Sequence, residues 1–208
     1  MARKPAPAEK TAGPAKPAGD PAKHVIEVAL QLAAEKGWRN LALVDIAQAA
    51  GLSLAGLYAL YPSKQAILSA YLRGIDRAVL EETEPPEGSA KDRLFDVLMR
   101  RLDKLEPHKA GLIRIGEDSA RDPLAVLCGV GRLDRSMAAM LEAAGISAGG
   151  LGGLVRTKGL SAIYLSTLRT WVRDETTDKS KTMAALDKAL GRAERLAGAC
   201  QRRRSAEA

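Results

Sequence analysis

The sequence lacks an apolar run long enough to cross a membrane. Although 46% of its 208 residues are apolar and the mean hydropathy is −0.14, no stretch approaches the roughly 18 uncharged apolar residues that a membrane helix needs. The N-terminus is basic but has no apolar segment of the kind found in a secretory signal. We therefore expect no targeting segment, no membrane span and a cytoplasmic protein.

Residues that build disulfides and metal sites are scarce. Cys128 and Cys200 lie far apart and form no CxxC pattern, and His24 and His108 have no further ligand at metal-binding spacing. We expect both cysteines to be reduced packing residues. No metal site and no cofactor are predicted.

Motifs of common catalytic sites are also missing. The segment GLSLA around Ser53 ends in alanine, where a nucleophile elbow has glycine. The glycines at 149–153 lack the Lys-Ser/Thr pair of a phosphate-binding loop. Helix capping explains the serine and a hinge explains the glycines, so no catalytic residue is predicted and we do not expect an enzyme.

The formal net charge of +7 is concentrated at the two ends of the chain. Residues 1–23 carry five basic and two acidic side chains, and residues 201–208 carry three and one. Residues 24–82 carry five basic and six acidic side chains. A basic protein can bind nucleic acid, but here most of the excess positive charge lies in the predicted tails.

Hydrophobic periodicity predicts an all-α protein. Apolar residues recur at helical spacing from Val25 onward, and no alternating strand pattern is present. Proline, glycine and alanine composition divides the chain further. The predicted regions are a disordered basic arm at 1–22, a helix-turn-helix domain at 23–82, a linker at 83–89, a helical domain at 90–200 and a disordered basic tail at 201–208.

Four helices are predicted in the N-terminal domain. The first ends at Gly37, and the others span about Leu43 to Ala50, Leu54 to Tyr61 and Ser63 to Glu82, with serines at 53 and 63 as caps. Two short helices joined by a turn with glycine are typical of a helix-turn-helix, in which the second helix enters the major groove of DNA. We expect Ile46, Ala47 and Ala50 to face inward, and Leu57 with Tyr58 to seat the second helix.

The segment LVDIAQAAGLSLAGLYALYPSKQAIL resembles the N-terminal domain of TetR-type transcriptional regulators. The residues that carry this resemblance are Ile46, Ala47, Ala50, Gly51, Leu57, Tyr58, Tyr61, Pro62, Ser63 and Lys64. It implies a DNA-reading domain with a fourth linking helix, followed by a helical bundle domain that binds a ligand and dimerises. It also implies that Tyr58 and Lys64 contact phosphates.

The sequence departs from the family pattern on the surface that would face DNA. Ala42 and Val44 stand where relatives usually have threonine and often arginine, and the recognition helix carries Leu54, Ala55, Gly56, Ala59 and Leu60. Such side chains can touch a thymine methyl group but cannot form paired hydrogen bonds with guanine. The predicted DNA-binding residues are Val44, Ser53, Leu54, Ala55, Tyr58, Leu60 and Lys64.

The C-terminal half supplies the remaining predicted sites. The family implies a homodimer through the last two helices, predicted at Leu154 to Asp174 and Asp178 to Ala199. The expected interface residues are Ile163, Leu168, Trp171, Met183, Leu186 and Leu190. A cavity for a small apolar effector or lipid is expected from Leu98, Leu102, Ile113, Leu127, Met137, Met140 and Tyr164.

Two functions fit these features. The first is a ligand-responsive repressor that binds a palindromic DNA operator as a homodimer. The second rests on a loose similarity between the C-terminal half and the TetR-like lipid-binding proteins of ubiquinone biosynthesis, and implies a lipid or isoprenoid carrier without need of DNA. A neutral body and an apolar recognition helix favour the second function, while the intact helix-turn-helix pattern favours the first.

Overall fold

Helices are the only regular secondary structure in the described part of the chain, as predicted. The structure, a computed structural model, describes residues 20–82 and 88–206, with side chains as far as Ala199. In these ranges it contains no strand. The helices are α1 (Pro21–Lys36), α2 (Leu43–Ala49), α3 (Leu54–Leu60), α4 (Lys64–Glu81), α5 (Ala90–Leu105), α6 (Lys109–Ser119), α7 (Pro123–Ala143), α8 (Gly150–Arg173) and α9 (Ser180–Ala206), with a 3₁₀ turn at Glu106–His108 between α5 and α6.

Local sequence signals set most of the helix ends. Gly37 ends α1 at a φ of 80°, which favours glycine, and its N–H donates to the carbonyl of Ala33. The Ser63 hydroxyl accepts the N–H of Ala66 at the start of α4. Asp122 caps α7, and Pro123 occupies its first turn, where a missing N–H costs nothing. The roles of Gly37 and Ser63 agree with the sequence-based expectations.

Four helix boundaries differ clearly from the predictions. Helix α1 begins at Pro21 inside the predicted disordered arm, because Asp20 accepts the N–H of Ala22 as its cap. Helix α8 begins at Gly150 rather than Leu154, and α9 begins at Ser180 rather than Asp178. Helix α9 also continues to Ala206, so the prediction of a disordered tail is wrong for residues 201–206.

The early start of α8 has a steric reason. Gly150 adopts a φ of 66°, and a Cβ on Gly153 would lie 2.0 Å from the carbonyl oxygen of Ala148. Glycine is therefore required for the chain to turn into α8, rather than serving as a break before it. Residues 1–19 of the predicted arm, 83–87 of the predicted linker and 207–208 of the tail lie outside the described residues.

Helix α4 joins the N-terminal helices to the rest of the molecule. It packs on α1 within the first domain and on α5 and α7 within the second, while α6 crosses α1 and α8 packs on α9. Helices α6 and α1 approach closely, since a Cβ on Gly111 would lie 2.4 Å from the carbonyl oxygen of Leu30. The two domains thus share one continuous hydrophobic core.

The described residues carry no complete membrane-spanning or metal-binding feature. None of their helices is by itself long and apolar enough to span a membrane, although the bent pair α2 and α3 passes on length and composition. No group of three metal-ligating side chains occurs among them. Cys128 is free and exposed, so the expectation of a packing role is wrong for this cysteine, and the Cys200 side chain is not described.

Candidate nucleic-acid interface

Helices α2 and α3 form a helix-turn-helix. Their axes differ in direction by 103°, within the range typical of the motif. Gly51 adopts a φ of 67° in the turn, a conformation that glycine reaches without steric cost. The Ser53 hydroxyl accepts the N–H of Gly56 at 3.1 Å and so fixes the first turn of α3.

The inner faces of the motif are closely packed. Ile46 and Leu57 are fully buried, and Ala47 and Ala50 are nearly so, as the sequence predicts. Small alanine side chains let the two helices approach closely. Tyr58 does not help to seat α3, contrary to expectation, because its side chain is 60% exposed.

The outer surface of the motif is mostly apolar. Exposed fractions are 43% for Val44, 49% for Leu54, 60% for Tyr58 and 39% for Leu60. Ala55 and Ser53 are exposed as well. Six of the seven predicted DNA-binding residues therefore lie on the protein surface, where a second molecule can reach them.

Lys64 is half-buried against the loop that follows α1. Its Nζ donates a hydrogen bond to the carbonyl oxygen of Trp38 at 2.6 Å and lies 5.3 Å from the centre of the Trp38 ring. Half-burial lowers the pKa of Lys64, and the nearby carboxylates of Asp118 and Asp45 oppose that shift. The ammonium group thus holds the loop after α1 onto α4 through one of its three N–H donors, and its contact with a phosphate stays a prediction.

The same region connects the two domains. The Arg39 N–H donates to Asp118 Oδ2 at 2.9 Å, which ties the loop after α1 to the end of α6. A cleft of about 380 Å³ opens at this junction, with Trp38, Lys64 and Asp118 among its lining residues. Sequence periodicity gave no sign of the hydrogen bond between Arg39 and Asp118, because these residues lie 79 positions apart in the chain.

A buried polar cluster joins α4 to the second domain. Arg101 on α5 is 3% exposed, and its Nε donates to Asp76 Oδ1 on α4 at 2.9 Å and to Ser136 Oγ on α7 at 3.2 Å. The Ser136 hydroxyl donates to the same Asp76 oxygen at 2.7 Å, and Arg101 also donates to the hydroxyl of Tyr164. The cation is therefore paired with a carboxylate, as a buried charge requires.

This cluster lies among five of the seven residues predicted to line a ligand cavity, and these five side chains are packed in the core. Leu98, Leu102, Met137 and Met140 are all 0% exposed, and Tyr164 is 1% exposed. A side chain without accessible surface has no water-sized space beside it, so these residues are packed core. The other two predicted cavity residues are not buried with these five: Ile113 is half-buried and Leu127 is 70% exposed.

The residues predicted for a dimer interface mostly face their own chain. Trp171 is 2% exposed, Leu186 is 0% and Leu190 is 3%, while only Met183, at 40%, is exposed. Ile163 and Leu168 are half-buried against the core. The exposed apolar side chains of α8 and α9 include instead Leu151, Leu154, Val155, Leu165, Val172 and Leu196.

Comparisons with known proteins agree with this architecture. Residues 25–71 match the family model described as bacterial regulatory proteins, tetR family. No curated protein matches the sequence. Among solved structures, a TetR transcriptional regulator from Nitrosomonas europaea is 24% identical with a TM-score of 0.70, over 84% of this chain and 99% of that one.

Two further structures show the same fold. A TetR transcriptional regulator from Rhodococcus sp. RHA1 is 23% identical with a TM-score of 0.58, over 82% of this chain and 95% of that one. NalD, the secondary repressor of the MexAB-OprM multidrug efflux pump in Pseudomonas aeruginosa, is 17% identical with a TM-score of 0.50, over 81% and 93% of the two chains. Residues 25–71 therefore form a domain of the tetR family of bacterial regulatory proteins, and the chain as a whole shares the fold of solved TetR transcriptional regulators.

Proposed function

We propose that the chain is a cytoplasmic transcriptional repressor that binds a palindromic DNA operator as a homodimer and responds to a small apolar effector. The observation that carries this proposal is the helix-turn-helix with an exposed α3. Its inner face is fully packed while Leu54, Ala55 and Tyr58 remain on the surface. A helix exposed in this way can lie in the major groove of DNA.

The exposed face of α8 supports dimerisation. Leu151 is 85% exposed, Val155 is 72% and Leu165 is 43%, on a helix that already packs against α7 and α9 on its other sides. Contiguous exposed apolar side chains are typical of protein interfaces. A two-fold dimer would place its two α3 helices about one DNA turn, roughly 34 Å, apart.

The effector and the direction of regulation are supported by less direct observations. NalD, whose fold this chain shares, is a repressor by its description. Met137 and Met140 lie in the packed core that connects to α4, and methionine adapts its shape more readily than branched residues. An effector that opens this core would act on α4 by binding one arrangement of the domains more tightly than the other.

A lipid carrier on the same fold is the less favoured function. A lipid carrier needs a preformed apolar cavity, but five of the residues expected to line that cavity are closely packed in the core. Mass spectrometry of the purified protein tests this alternative. Stoichiometric co-purified lipid would favour the carrier.

Selection of bound sequences from a random DNA pool tests DNA binding. We expect a palindrome to be enriched, and binding to it in gel shifts should exceed binding to random DNA at about 0.1 M salt. Equal affinity for both would contradict the proposal. Sedimentation tests the dimer: Val155→Asp should yield monomers, whereas the control Leu80→Asp, on α4 at 43% exposure, should not.

A further inference from the structure

Helix α3 presents to its surroundings almost no hydrogen-bonding atoms. Of its seven residues, Leu54 to Leu60, only Tyr58 has a polar side chain. The Ser53 oxygen before it already accepts the N–H of Gly56. Reading guanine or adenine in the major groove relies on side chains with two hydrogen-bonding atoms, such as arginine, asparagine and glutamine. Helix α3 has none of these.

The exposed side chains of α3 form a continuous apolar face. Leu54 and Tyr58 are four residues apart, as are Ala55 and Ala59, so the two pairs lie side by side on the helix surface. All four are exposed, while Leu57 on the opposite side is fully buried. The short alanines allow the helix backbone to approach a groove closely, and the longer Leu54 and Tyr58 extend beside them.

Charge adds little to the binding surface. Residues 24–82 carry five basic and six acidic side chains, and the Lys64 ammonium is engaged with Trp38. Counterion release, which drives sequence-independent binding, grows with the number of phosphates that a protein neutralises. Discrimination between DNA sequences must therefore come mainly from contacts that an apolar surface can make.

We propose that α3 selects its operator by contact between the Leu54, Ala55, Tyr58 and Ala59 face and the C5 methyl groups of thymines in the major groove. Thymine is the only standard base with an apolar group on that edge. The inference rests on the proposed function, since it concerns the DNA that the regulator reads. It identifies the operator half-site as one whose contacted positions are defined by thymine.

Replacing thymine with deoxyuridine tests the proposal directly. This change removes the methyl group and leaves the hydrogen-bonding pattern of the base unchanged. In the operator enriched from a random pool, we expect each contacted thymine to lose about fourfold in affinity, as the removal of one buried methyl group predicts. In operators where a contacted thymine is replaced by cytosine, 5-methylcytosine should recover part of the lost affinity.

Protein variants assign the effect to α3. In Leu54→Ala, the loss in affinity caused by deoxyuridine should disappear at the thymine that Leu54 contacts. In Tyr58→Phe, which keeps the ring, and in the control Leu80→Ala it should remain. Both α3 side chains are largely exposed, so the variants should unfold at the wild-type temperature, which is measured alongside.

The outcomes separate this inference from the proposed function. Enrichment of an operator whose affinity is unchanged by deoxyuridine at every thymine would overturn the inference and leave the regulator intact. An operator whose contacted positions are defined by guanine would do the same. Failure to enrich any sequence would overturn both.

Discussion

Replacing Gly111 with alanine tests whether the close approach of α6 to α1 holds the two domains together. A Cβ at this position would lie 2.4 Å from the carbonyl oxygen and 3.2 Å from the carbonyl carbon of Leu30. These are backbone atoms of a helix, so neither can move aside as a side-chain end would. The helices must separate by roughly an ångström, and such overpacking costs about 1–3 kcal/mol.

Gly116 provides a matched control on the same helix. A Cβ there meets nothing within 4 Å, and alanine is favoured over glycine inside a helix by about 0.5–1 kcal/mol. Both variants receive this gain, so the difference between them isolates the steric cost at Gly111.

Thermal and urea unfolding measure that difference. We expect Gly116→Ala to be slightly more stable than wild type and Gly111→Ala to be about 1–3 kcal/mol less stable than Gly116→Ala. For a domain of this size each kcal/mol corresponds to about 2–4 °C in Tm. Equal unfolding midpoints for the two variants would refute the reasoning that α6 and α1 are in backbone contact.

Three other substitutions test a buried ion pair, a hydrogen-bonded carboxylate between α8 and α9, and the cap of α3. Arg101→Leu should lower the free energy of unfolding in urea by about 3 kcal/mol, because it leaves Asp76 without its buried partner. This is the lower end for such a change, since the Asp76 side chain keeps 17% exposure. An unchanged midpoint would contradict the pairing. Hydrogen bonds from Thr176 and Thr182 hold the pKa of Asp174 well below its usual range, so stability from this group is present above the unfolded pKa of about 4 and is lost as the pH falls. Asp174→Asn should therefore be less sensitive to acid than wild type in Tm measurements from pH 6 to 2, and parallel curves would argue against this role. Ser53→Ala should cost about 1 kcal/mol of stability through loss of the α3 cap, and no change in chemical denaturation would show that the cap is not needed.

Local signals allowed much of the N-terminal domain to be predicted from the sequence. Gly37, Ser53 and Ser63 act at the ends of the helices that they cap or terminate, because each effect depends on a few neighbouring residues. The apolar positions Ile46 and Leu57 could likewise be assigned to the core. Their helical spacing leaves only one face for burial.

Long-range contacts could not be predicted in this way. The role of Lys64 depends on the position of Trp38, 26 residues earlier in the chain. The family resemblance placed Trp171 and Leu186 at a dimer interface, but helical spacing does not show whether an apolar stripe faces its own core or a second copy. Arg101 is a signal that the sequence does carry: it lies at helical spacing among buried apolar residues of α5, and a buried charge needs a partner inside the protein.

The ligand cavity shows a different limit of sequence reasoning. Leu98 and Met140 are apolar residues of the second domain, and the sequence cannot distinguish a wall of a cavity from a filled core. That distinction depends on how closely neighbouring helices approach, which in turn depends on side-chain volumes from four different helices.

The two tryptophans provide one fluorescent reporter for each domain. Trp38 lies next to the Lys64 ammonium, at the junction beside helices α2 and α3. Trp171 lies near the end of α8, where its ring centre is 4.9 Å from Lys109 Nζ and its indole N–H donates to Glu106. Because both rings are nearly fully buried, each emission spectrum reflects its own surroundings. In a variant that retains only Trp38, the wavelength and intensity of tryptophan emission would therefore report when the junction between the domains opens.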